Sequence, residues 1–232
     1  MEKNLQTIFE EREELMKDKW NENRPSKLAC LRKSVKKQRK SQTSVAVNGK
    51  TNQEHFPQTC SMTIEQKYSN GETIFHLLAR ENQANAITDL LQQGHKIDKD
   101  DQGFYPWHVA AAHGSIEAVK SFYTHGNLQI HEPSEHYQFN ILHVAVLGTG
   151  NTDKQTKMIE YIVNSISEID INGQDVYGRT PLFCAGQYKK HELGCALLKI
   201  GADPQVLSSF RYSVLGMAAT NCPNLTMTLM DR

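Results

Sequence analysis

TIFHLLA at Thr73, YPWHVAA at Tyr105, NILHVAV at Asn140, TPLFCAG at Thr180 and SVLGMAA at Ser213 are five versions of one segment, beginning 32, 35, 40 and 33 residues apart. A recurrence on this scale is the mark of an array of small supersecondary units, none of which can bury its apolar side alone. A second signal keeps a fixed offset. Apolar or partly apolar pairs fall 17 and 18 residues after each start, at Leu90-Leu91, Phe122-Tyr123, Leu197-Leu198 and Met230-Asp231, with Ile162-Val163 displaced by five residues. Two short antiparallel helices joined by a tight turn give that offset, each helix turning its apolar side to its neighbours.

Thr180-Pro181-Leu182, Leu142-His143-Val144-Ala145, Pro106 to Ala111, the turns at Gly94 and Gly114, and Leu197 to Asp203 together resemble the ankyrin-repeat consensus, from near Tyr68 to the C-terminus. The resemblance implies an all-α ankyrin-repeat solenoid over residues 67–232, a helix-turn-helix stack with β-hairpin fingers. It has about five repeats, starting near 71, 103, 138, 178 and 211, the last incomplete. The third repeat carries a five-residue excess within Gly148 to Asp153, which predicts an exposed special loop. Repeats four and five replace the recurrent histidine by Phe183 and Gly216. An array ending on Arg232 without a polar cap predicts that the sequence is the front of a longer product.

The formal charge is zero, 26 basic against 26 acidic side chains, but it is unevenly divided. Residues 1–70 hold 14 basic and 9 acidic side chains, a net of +5, and residues 71–232 hold the opposite net of −5. Residues 1–66 read as a largely disordered, basic segment, with polar linker over 41–66 and a short amphipathic helix over 4–20 that brings Leu5, Ile8, Phe9, Met16 and Trp20 near one face. Arg32, Lys33, Lys36, Lys37, Arg39 and Lys40 crowd six positive charges into nine positions and read as a nuclear localisation signal. Contact with a nucleic-acid backbone and a solvated tail are the other readings. No aromatic residue is interleaved with the charges, which argues against a platform for single strands, and direct nucleic-acid binding is not expected. The expected location is nucleus, cytoplasm or both. No apolar run approaches the roughly 18 residues of a membrane span, and the charged N-terminus is no secretory signal peptide.

The five cysteines, odd in number and never in C-x-x-C, read as reduced thiols. His76, His108 and His143 recur at repeat spacing, which places each ring in a different layer and argues against a shared metal site, and the ankyrin resemblance implies structural hydrogen-bonding residues at this place. His131 and His136 are five apart with Pro133 between them, which is not a zincin helix. No G-x-S-x-G, phosphate-binding glycine loop or G-x-G-x-x-G occurs. The chain therefore reads as a non-enzyme with no cofactor, no metal and no small-molecule substrate.

The resemblance places the binding face on the fingers. Carried over by position, the residues one before each repeat threonine are Phe104, Phe139, Arg179 and Tyr212, and those three before are Gln102, Tyr137, Tyr177 and Phe210. Six of these eight are aromatic in a chain that is 8% aromatic, and aromatic residues and arginine are the types enriched at interface centres. With His113 and Tyr188 at the ends of first helices, they predict a concave partner-binding strip on a protein-binding adaptor. A basic segment ahead of repeats of unequal length further resembles the nuclear branch of the IκB family, which implies a Rel-type transcription factor as partner. The alternative is the cytosolic ankyrin portion of a TRP-type cation channel or another larger protein.

Overall fold

Residues 62–232 form one compact unit of the chain. The computed structural model describes residues 67, 68, 70–125 and 130–231, so the expected helix over 4–20, the linker and the basic cluster at 32–40 lie outside the described residues. Ten helices follow in order: α1 Ile74–Arg80, α2 Ala84–Gln92, α3 Pro106–His113, α4 Ile116–His125, α5 Ile141–Leu147, α6 Thr152–Ser165, α7 Pro181–Gln187, α8 His191–Lys199, α9 Val214–Asn221 and α10 Pro223–Met230. The described residues are all-α and contain no strand. This corrects the expectation of β-hairpin fingers: each finger position is a tight turn, closed by one or two backbone hydrogen bonds and too short to build a ladder.

The first helix of every unit starts one residue after the recurrent Thr, Tyr, Asn, Thr or Ser, because that residue stays extended and acts as the N-cap. Its side-chain oxygen accepts from a backbone N–H three residues on at Asn140 to His143 (3.0 Å), Thr180 to Phe183 (3.1 Å) and Ser213 to Gly216 (3.0 Å). Pro106 and Pro181 occupy the first helical position, where the missing N–H costs nothing.

The helices pack in two rows. In the first row α1, α3, α5, α7 and α9 each lie against the next, and in the second α2 lies against α4, and α8 lies between α6 and α10. Between the rows, Phe75, Trp107, Phe122, Leu142, Ile159, Ile162, Leu182, Leu193, Leu197, Val214 and Leu225 form one continuous core. α6 is the longest helix and absorbs the five-residue excess. It leans against α3 as well, and Gln155 Nε2 donates to Ala112 O at 2.6 Å from beneath the Gly148–Asn151 loop.

Candidate protein-interaction surface

The turns ahead of the first helices repeat one hydrogen-bond scheme. The N–H of Tyr68, Asp100, Asp175 and Ser208 donates to the carbonyl four residues on, at Glu72, Phe104, Arg179 and Tyr212, and the N–H three residues on donates back. The third turn is one residue longer, Ser134 N–H donating to Phe139 O. A polar side chain completes each of the last four turns. Asp100 Oδ1 accepts from Gln102 N (3.0 Å) and Phe104 N (2.8 Å), Asp175 Oδ1 from Tyr177 N (2.9 Å) and Arg179 N (2.8 Å), Ser134 Oγ from Phe139 N (3.0 Å), and Ser208 Oγ from Tyr212 N (3.1 Å). These turn-forming side chains were not among the sequence candidates, although D-x-x-G at Asp100 and Asp175 is the signal that finds them.

Inside each turn one residue has a left-handed backbone: Gly71, Gly103, Gln138, Gly178 and Arg211, with φ from +55° to +77°. Successive turns are also tied to one another. Asp101 N donates to Asn70 O, Glu135 N to Gly103 O, Val176 N to Tyr137 O, and Ser209 N to Tyr177 O, all within 3.0–3.2 Å. The turns thus form a hydrogen-bonded edge along the unit. Closeness leaves no room at Gly178, where a Cβ would stand 2.4 Å from Ser209 N.

Three of the residues predicted to face a partner are buried along this edge, and their assignment as contact residues is corrected. Phe104 and Phe139 stack on each other at 6.4 Å between centroids and enclose a second apolar cluster with Ala112 and Val144. His108 meets Phe104 edge-on at 5.9 Å and His143 stacks on Phe139 at 5.6 Å. Arg179 is buried with Asp175, Nε donating to Oδ2 at 2.8 Å and Nη1 to Gln187 Oε1 at 3.0 Å, so its charge is committed inside the protein. The physical reason is packing between units: rings of the neighbouring turn cover the residue just before the N-cap, as Tyr137 and Phe139 cover Phe104.

The other candidates keep surface. Tyr137 is half-buried, stacked on Phe104 and Phe139 at 6.0 and 5.4 Å. Tyr177 is half-buried with the Arg179 guanidinium 4.9 Å from its ring. Phe210 and Tyr212 are 45% and 49% exposed. Tyr188, the C-cap of α7, is half-buried, as is His113, whose Nδ1 lies 2.9 Å from Val109 O and whose pKa burial lowers. Tyr137, Tyr177 and Phe210 therefore follow one another on consecutive turns, while His113 and Tyr188 sit at the far ends of their helices.

The recurrent histidines are spent on the fold. His76 Nδ1 accepts from Thr73 N at 3.0 Å, which leaves the proton on Nε2 for Phe104 O at 3.0 Å in the next turn. His143 repeats this with Asn140 N at 3.3 Å and Arg179 O at 2.8 Å. His108 Nδ1 accepts from Tyr105 N at 3.2 Å, but its Nε2, directed at the Glu132 backbone, makes no hydrogen bond of ordinary geometry. Burial holds the pKa values down, to about 3 for His108 and about 4 for His143. Among the described residues no three His, Cys, Asp or Glu side chains are placed to hold a metal ion, and no helix is long and apolar enough to cross a membrane. No family model and no curated protein matches the chain.

Proposed function

We propose that the chain is an ankyrin-type repeat protein whose role is to hold another protein along the edge formed by its turns. The observation that carries this reading is the run of Tyr137, Tyr177 and Phe210 on consecutive hydrogen-bonded turns, aromatic side chains held at fixed spacing by a rigid edge. Aromatic rings so held lose little conformational entropy on binding, which is what makes a hot spot. Catalysis and cofactor binding form no part of the proposal. The family reading is supported by the five turn–helix–helix units, the N-cap and histidine hydrogen bonds, and the left-handed residue at each turn.

Within that class we place the chain with the nuclear IκB-like regulators, acting in the nucleus on a Rel-type transcription factor. The basic cluster Arg32 to Lys40 ahead of units of unequal length supports this. The test is titration of the full chain against a purified Rel-type DNA-binding domain, wild type beside Tyr177→Ala and Phe210→Ala. Submicromolar binding that weakens about tenfold or more in each variant is expected. No binding by wild type removes the Rel-type partner, and equal binding by the variants removes the turn edge. In cells, Ala at Lys36, Lys37, Arg39 and Lys40 is expected to shift the tagged chain out of the nucleus, and an unchanged distribution removes the import signal.

A further inference from the structure

The rings of the turn edge recur at an interval set by the helices beneath them. Each turn runs directly into a first-row helix, and α3, α5, α7 and α9 lie each against the next, so the turns inherit the spacing of packed helices, about 8–10 Å. Backbone hydrogen bonds hold them to it, Val176 N donating to Tyr137 O at 3.1 Å and Ser209 N to Tyr177 O at 3.0 Å. Three positions before the N-cap the turns present Tyr137, Tyr177 and Phe210. A chain laid along the edge therefore meets one ring per turn, the three rings spanning roughly 16–20 Å.

Regular backbones differ in how often they return a side chain to one face. A strand does so every second residue, at about 6.6–6.8 Å, which falls short of one turn. A helix does so after seven residues, about 10.5 Å, and overshoots the three rings at about 21 Å. Polyproline II turns once in three residues and rises about 3.1 Å per residue, so every third side chain faces the edge at about 9.3 Å, and two such steps make about 18.6 Å. Ring chemistry agrees with the spacing: proline-rich segments dock on aromatic faces, and they are ordered before they bind.

Charge decides which end of the segment lies where. The residues whose N–H ties each turn to the one before are Asp101, Glu135, Val176 and Ser209. Asp101 and Glu135 put exposed carboxylates on the second and third turns, Glu135 sharing Lys99 at 2.7 Å, whereas Val176, 47% exposed, holds the same place on the fourth. The edge is acidic beside Gln102 and Tyr137 and apolar beside Tyr177. We propose that its occupant is a polyproline II segment of the partner protein that faces the edge with every third side chain, basic at the second and third turns and apolar at the fourth and fifth. This rests on the turn edge being the partner surface, and it adds which backbone lies there.

Fluorescence anisotropy of labelled peptides against the full chain tests the segment. The probes are KPPKPPLPPLPP, its reverse PPLPPLPPKPPK, and KPKPLPLPPPPP, which has the same composition with the side chains at every second position. One of the first two is expected to bind wild type with a Kd on the order of 10–100 µM, and the third at least about fivefold more weakly. Tyr177→Ala and Asp101→Lys are each expected to weaken the in-phase peptide about fivefold or more, with unchanged far-UV circular dichroism. No binding of either direction by about 1 mM overturns the proposal. So does equal binding of the third peptide, a comparison made on wild type alone, or folded variants that bind like wild type. A Rel-type domain that binds while the peptides fail removes the polyproline segment and leaves the turn edge; peptides that bind while the Rel-type domain fails remove that partner alone.

Discussion

Asp100 shows how one side chain sets a local pH dependence. Burial pushes its carboxyl up to about 6, against the two backbone N–H groups that favour the charged form. The folded chain then holds the Asp100 proton more tightly than the unfolded chain, whose carboxyl titrates near 3.8. Its contribution to stability is full below about 3.8 and lost as pH rises through about 6. Asn keeps an oxygen for the N–H groups of Gln102 and Phe104 and removes the buried charge. Asp100→Asn is therefore expected to gain roughly 1–2 kcal/mol at pH 7.5, the gain vanishing near pH 4, read from urea midpoints at the two pH values. Greater stability of wild type at pH 7.5 would mean that the charge-assisted turn bonds outweigh burial. Asp175 holds the same place in its turn but has Arg179 beside it.

At the scale of the element, Phe139 belongs to the second apolar cluster, so Phe139→Ala is expected to cost about 3–5 kcal/mol of stability. Chemical denaturation checks this; a stable variant that only loses binding would return Phe139 to the contact surface. The helices themselves were legible in the sequence because the signal is strong and local: an N-cap residue, an apolar run with helical spacing, and a second run at fixed offset. Thr73, Tyr105, Asn140, Thr180 and Ser213 mark both the quoted starts and the N-caps. The direction of the turn side chains was not legible. Phe104 and Tyr137 are both aromatic and both within three residues of an N-cap, and only the packing of successive turns buries the first and leaves the second half-buried on top of it. Arg179 misled for a related reason: its partner Asp175 is four residues away in sequence, but nothing in the spacing alone says that both are buried.

Over the whole molecule the buried histidines make the fold acid-labile. His108 and His143, held down to about 3 and about 4, stay neutral in the folded chain at pH values where the unfolded chain binds protons near 6.5. The stability they carry is full above about 6.5 and is lost as pH falls through that value toward about 4. From pH 7 to pH 5 the two together are expected to remove roughly 4 kcal/mol, a large share of the ~5–15 kcal/mol that holds a domain. Asp100 offsets part of it. Stability measured at both pH values, with a net uptake of about one proton from these three groups on unfolding near pH 5, checks the prediction; a pH-independent midpoint would contradict it. The five-residue excess in the third unit acts on the same scale. Because α6 leans toward α3 and meets α4 through Lys120 over the Tyr161 ring, 5.5 Å away, the coupling between the second and third units runs chiefly through the first row and the turn edge. Nearest-neighbour coupling that is lopsided in this way predicts that opening between the second and third units begins in the second row, so amide hydrogen exchange is expected to be faster in α4 and α6 than in α3 and α5, and equal rates would contradict it.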